Sequence, residues 1–172
     1  MPISSWPSPP GGWPPNVLAV PYVGSAAPGK ARLGSWLEGA NCQLFAYGVL
    51  GLFGLACPAL PSSKLWHDLD STVIPEQPGP LDLVLFNATK DPWGAHLGVW
   101  MAPDEVFHLC KEVGAPVVWP MAEFSRRARY ATTVGVKRVV RTVGFSDKAA
   151  AVGTRRAHFD LNADGVRPLP AS

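Results

Sequence analysis

Apolar and polar positions change rhythm along this chain. Residues 41–55 are apolar at nearly every position, and Gly48, Gly51 and Gly54 recur every third residue near one face. An apolar run of this length predicts a buried helix. Glycine costs roughly 1 kcal/mol per interior helical position relative to alanine, so the glycine face is expected to pack closely against a sheet. Past Pro80 the apolar runs become short: 81–86, 96–101, 105–109, 115–119 and 132–143. Turn residues separate them, among them Pro103, Asp104 and Gly114. This alternation predicts successive antiparallel strands. Residues 121–130 predict a short amphipathic helix with Arg126, Arg127 and Arg129 toward water, and residues 64–70 a helical turn. One long helix followed by a meander of about five strands is an α+β arrangement.

The ends differ in character from the middle. Residues 1–16 contain six prolines, two glycines and two tryptophans, which predicts an extended arm. Residues 17–143 predict one domain, and 144–172 a polar appendage. Within the appendage, Asp160, Asn162, Asp164 and Gly165 imitate the start of a calcium loop, but the twelfth position is Ala171. A polar turn is the expected reading there.

Composition narrows the classes. With 172 residues, 47% hydrophobic and 16% charged, the chain suits a single folded core. A net charge of +2 with scattered basic residues does not suggest nucleic-acid binding. The longest apolar run, 44–60, is too short and interrupted to span a bilayer. Three cysteines do not make a disulfide framework. The first residues lack a basic segment and an apolar segment of the secretory kind. A cytoplasmic protein is expected, with a non-classical export route left open. The oligomeric state is not encoded in any visible pattern.

The chemistry concentrates in three residues. Cys42 opens the predicted helix, and His96 and His108 end apolar runs twelve positions apart. A thiol, an imidazole that takes its proton and a group that orients the imidazole together make a cysteine nucleophile. A helix N-terminus adds unpaired N–H groups and a positive dipole end, both favouring thiolate. Other readings compete. A lone cysteine is often a small hydrophobe, the reading taken for Cys57 and Cys110. His108, between Phe107 and Leu109, also fits a core histidine. Cys42 with the two histidines could bind zinc. His67 and His158 are expected at the surface.

Five stretches in order resemble the NlpC/P60 cysteine peptidases, papain-like enzymes of peptidoglycan stem peptides. They are Pro21-Tyr22-Val23, Asn41-Cys42-Gln43-Leu44, Leu81-Asp82-Leu83-Val84-Leu85-Phe86, His96-Leu97-Gly98-Val99-Trp100, and His108 at the third polar position. The resemblance covers roughly residues 20–140. It implies a papain-like α+β domain with the nucleophile helix packed on an antiparallel sheet. It implies Cys42 as nucleophile, His96 as base and His108 as its orienting partner, with Tyr22, Asn41, Gln43 and Gly98 around the substrate. The expected activity is amide hydrolysis of a peptidoglycan-type peptide, or of a related small peptide or specialised-metabolite amide. No metal or organic cofactor is implied. An acyltransferase using the same residues and a catalytically silent binding module are the alternatives. Asn41, Gln43 and Leu44 stand where the family has an acid, a serine and a glycine. A neutral Asn41 offers an ammonium group only a neutral hydrogen bond, so a substrate without a free α-amine is expected.

Overall fold

The computed structural model describes residues 6–31 and 33–142. Among the described residues there are three α-helices: α1 (Cys42–Leu52), α2 (Ser62–His67) and α3 (Met121–Ser125). Six strands follow in chain order: β1 (Thr72–Val73), β2 (Leu83–Asn87), β3 (His96–Ala102), β4 (Glu105–Leu109), β5 (Pro116–Trp119) and β6 (Thr132–Val139). They form one antiparallel sheet in the order β1-β6-β2-β3-β4-β5. The α+β architecture therefore agrees with the sequence pattern, with six strands in place of about five. The added strand, β1, is only two residues long and sits between Pro58 and Pro80, in a proline-rich connection where no alternation could reveal it.

Strand alternation sorts the sheet into two faces. Leu83, Leu85, Leu97, Val99, Phe107 and Leu109 join the cluster that holds Leu44, Phe45 and Tyr47 of α1. Val84, Phe86, Val106 and Cys110 lie in a second cluster with Trp119, Phe124 and Tyr130. The two clusters explain why β2 reads as a continuous apolar run: its residues 83–86 are all buried, two toward each side.

Several boundaries differ from expectation. Helix α1 stops at Leu52, and Gly54 at φ +76° turns the chain away. Of the three glycines, Gly48 makes a close contact, with the Trp36 indole rather than with the sheet. A Cβ there would lie 2.3 Å from Trp36 Cδ2, whereas one on Gly51 would meet nothing. Helix α3 ends at Ser125, five residues early. The described part of the arm is docked rather than free. Trp6 is buried against Phe107, with ring centroids 4.9 Å apart, and its indole N–H donates to Glu105 Oε2 at 2.6 Å. Trp13 packs on Phe53. Tryptophan rings bury large areas, so Trp6 and Trp13 anchor this part of the arm on the core. The appendage 144–172, with its calcium-loop imitation and His158, lies outside the described residues. No described helix is long and apolar enough to cross a membrane.

Candidate active site

Three local connections assemble the site. Asn41, in extended conformation, caps α1 by accepting a hydrogen bond from Leu44 N at 2.8 Å. This makes Cys42 the first helical residue. Tyr22 bridges Ala40 in parallel, and its N–H donates to the Gly114 carbonyl. That pairing brings Tyr22 beside the start of α1. His96 is the first residue of β3, after a turn tied by Asn87 Nδ2 to the carbonyls of Asp91 and Trp93. Cys42, Tyr22 and His96 thus line one cavity of about 70 Å³, together with Gly94, Lys111, Arg129 and Tyr130.

His108 stands behind His96, away from the cavity lining. The β3–β4 register pairs Val99 with Phe107, which sets Gly98 across from His108 and His96 one diagonal step away. His96 Nε2 and His108 Nδ1 are 2.8 Å apart, with the rings nearly perpendicular. One proton must lie between the two nitrogens. The pair leaves Nδ1 of His96 as the ring nitrogen available to the thiol. His108 is fully buried among Trp119 and Phe124, and its Nε2 has no hydrogen-bond partner among the described residues. Gly98 makes this packing feasible, because a Cβ there would lie 2.4 Å from Val106 Cγ1 and 3.3 Å from His108 Cβ.

The surroundings favour the uncharged form of the thiol and of both imidazoles. Burial pushes the Cys42 thiol up. Backbone N–H groups of Leu97, Gln43 and Cys42 itself, and the charge of Arg129, pull it partly back. Burial holds both imidazoles well below the usual histidine range. The Arg129 charge adds to the effect at His96, and His96 and the Arg127 charge add to it at His108. Both shifts favour the uncharged forms, a thiol and a neutral imidazole, over a thiolate–imidazolium pair.

The remaining sequence-selected residues lie elsewhere. The Asn41 side chain is occupied by capping, and the Gln43 amide reaches toward the Leu60 carbonyl at 3.5 Å. Gly98 is buried in the sheet, where it makes room for His108. None of these three lines the cavity with Cys42. Leu44 is buried and faces a larger apolar cavity of about 290 Å³ with Pro28, Tyr47 and Cys57. Among the described residues that cavity is lined by no imidazole, whereas the smaller one brings Cys42 and His96 together. Among the described residues no group of three or more metal-binding side chains occurs. Sequence reasoning missed Gly94, Lys111, Arg129 and Tyr130. It placed Arg129 among three water-facing arginines; Arg129 is exposed and also borders the cavity, while Arg126 and Arg127 pair with Glu123, and Arg127 also with Glu112.

No family model matches the chain, and no curated protein matches it. Among solved structures it is similar to an NlpC/P60 family protein from Bacillus cereus, at 16% identity and a TM-score of 0.48 over 61% of this chain and 33% of that one. It is also similar to a protein of the NLP/P60 family from Staphylococcus aureus, described as similar to lipoprotein, at 17% identity and a TM-score of 0.47. That match covers 73% of this chain and 38% of the other. The chain thus spans well under half the length of either protein.

Proposed function

We propose that the protein is a thiol hydrolase of the NlpC/P60 type that cleaves an amide bond through a thioester at Cys42. One observation carries the reading: Cys42 and His96 share a cavity, and the far nitrogen of His96 is 2.8 Å from His108. A base must be held in one tautomer to serve a nucleophile. In the competent arrangement His96 Nε2–H donates to His108 Nδ1, and His96 Nδ1 presents its lone pair. His108 then carries its own proton on Nε2, among the aromatic rings of Trp119 and Phe124, where an N–H finds a weak π acceptor.

The cycle follows. As the sulfur attacks the amide carbon, the thiol proton passes to His96 Nδ1, and a tetrahedral oxyanion forms. The N–H groups at the start of α1, Cys42 N first among them, face the developing charge. The carbon–nitrogen bond breaks, the leaving amine takes the proton from His96, and a thioester remains. Water then attacks the thioester while His96 accepts its proton. The carbon–sulfur bond breaks, the proton returns to sulfur and a carboxylic acid departs. The substrate class is a peptidoglycan-type peptide or a related small peptide or amide.

Alkylation with peptide mapping tests the nucleophile. Cys42 should label first, since it shares a cavity with His96, whereas Cys57 lines a cavity without an imidazole and Cys110 is fully buried. Cys42→Ala should abolish turnover of peptidoglycan-fragment peptides with the melting temperature preserved, while Cys57→Ser and Cys110→Ser keep turnover. Labelling at Cys57 or Cys110 with Cys42 inert would overturn the reading.

A further inference from the structure

The cavity at Cys42 is lined by two cations and no acid. Lys111 and Arg129 both border it, and neither enters an ion pair or a side-chain hydrogen bond among the described residues. The nearby carboxylates are already engaged. Glu112 binds Arg127 at 2.5 Å, and Glu123 binds Arg127 at 2.7 Å and Arg126 at 3.7 Å. A third group completes the set. Tyr130 is 2% exposed and lines the same cavity, yet its buried hydroxyl has no partner among the described residues. Buried hydroxyls are ordinarily bonded, and an unpartnered one calls for an explanation. Its ring lies 4.8 Å from the His96 ring.

We infer that Lys111, Arg129 and the Tyr130 hydroxyl form an anion subsite that recognises a carboxylate on the substrate next to the scissile amide. Two cations and one neutral donor match a carboxylate, which accepts several charge-assisted bonds at once. The same pair of charges repels an ammonium group. This places the preference for a substrate without a free α-amine on Lys111 and Arg129 rather than on Asn41. The inference rests on the thiol-hydrolase reading, because the anion is placed relative to Cys42.

Two alkylating reagents separate the subsite from the nucleophile. Iodoacetate carries a carboxylate and iodoacetamide does not, while in both the sulfur attacks the same kind of carbon and iodide leaves. The ratio of their rates at Cys42, read by peptide mapping, cancels any change in thiolate fraction. In the full-length protein the ratio should favour iodoacetate more than it does for a free thiol, and added salt should lower it. Arg129→Gln and Lys111→Gln should each lower the ratio by roughly threefold to tenfold, the loss of one nearby charge. Tyr130→Phe should lower it by about twofold, the loss of one neutral bond. Arg126→Gln, with a side chain 77% exposed and away from the cavity, should leave it unchanged. A ratio that none of the three subsite variants moves would overturn the anion subsite and leave the nucleophile standing. Cys42 inert to both reagents would overturn the hydrolase reading, and the subsite with it.

Discussion

His96 and His108 are both histidines in contact, yet their surroundings differ, and the proposed mechanism gives them different tasks. His96 borders the cavity, whereas His108 is buried behind it and meets the Nε2 nitrogen of His96. Removing a base that moves the proton costs typically 10²–10⁴ in rate. His96→Ala should therefore lower kcat by that order, and His108→Ala by less, because His108 only orients. Measured kcat for the two variants checks the ranking, and equal losses would count against it. The pH profile should also be distinctive. Burial holds His96 well below its ordinary 6.5 and raises the Cys42 thiol above its ordinary 9.0. The base stays unprotonated in mild acid, so kcat/KM should stay level as pH falls through 6.5. In the free enzyme, alkylation of Cys42 by iodoacetamide should keep climbing above pH 9. A rate plateau near neutrality would instead indicate a preformed thiolate–imidazolium pair.

At the scale of elements, the start of α1 and the β3–β4 pair hold the geometry. Asn41→Ala removes the cap on Leu44 N and should cost about 1 kcal/mol, whereas Asn41→Asp keeps a capping oxygen and should cost little. Thermal melts of the two variants make the comparison. Gly98 is the tighter constraint. A methyl group at Gly98 would sit 2.4 Å from Val106 Cγ1, a branched side chain with little freedom to move, and would crowd His108. Overpacking of this kind costs typically 1–3 kcal/mol. Gly98→Ala should destabilise the protein by that amount and should also lower kcat, because His108 shifts with the strand. Gly51→Ala, a glycine of α1 with open space at its Cβ, should be neutral or stabilising.

At the scale of the whole molecule, the buried histidine pair links stability to pH. Both imidazoles have folded values below the unfolded 6.5. Below that pH the unfolded chain binds protons that the folded chain does not. Stability is therefore full above about pH 6.5 and is lost as pH falls. Denaturant melts of the native protein should show this decline, and a His96→Gln, His108→Gln double variant should flatten it. The docked arm is the other long-range feature. Trp6 joins the core 99 residues away from its hydrogen-bond partner Glu105. Trp6→Ala should cost about 3–5 kcal/mol, the usual range for a large aromatic in a core.

Much of this arrangement was readable before any coordinates. The apolar run 41–55 identified α1, and the short runs beyond Pro80 identified five of the six strands, because helix and sheet burial leave different periods in a sequence. Cys42 and the two histidines stood out because a nucleophile needs those residue types. Their even spacing across a predicted hairpin anticipated the His96–His108 contact. The register and direction of side chains were not readable. Leu44, Asn41 and Gln43 adjoin the nucleophile in sequence, yet helix geometry turns Leu44 toward another cavity and the other two toward backbone groups. Lys111, Arg129 and Tyr130 follow His108 at irregular intervals, in segments that flank β5 and precede β6. Only the folding of those segments over the open end of β3 brings them beside Cys42. Periodicity reports which face of an element is buried, and it carries no information about which distant element covers that face. Local burial and the choice of chemistry are thus written in the sequence, whereas the company each reactive group keeps is decided by strand register and loop packing.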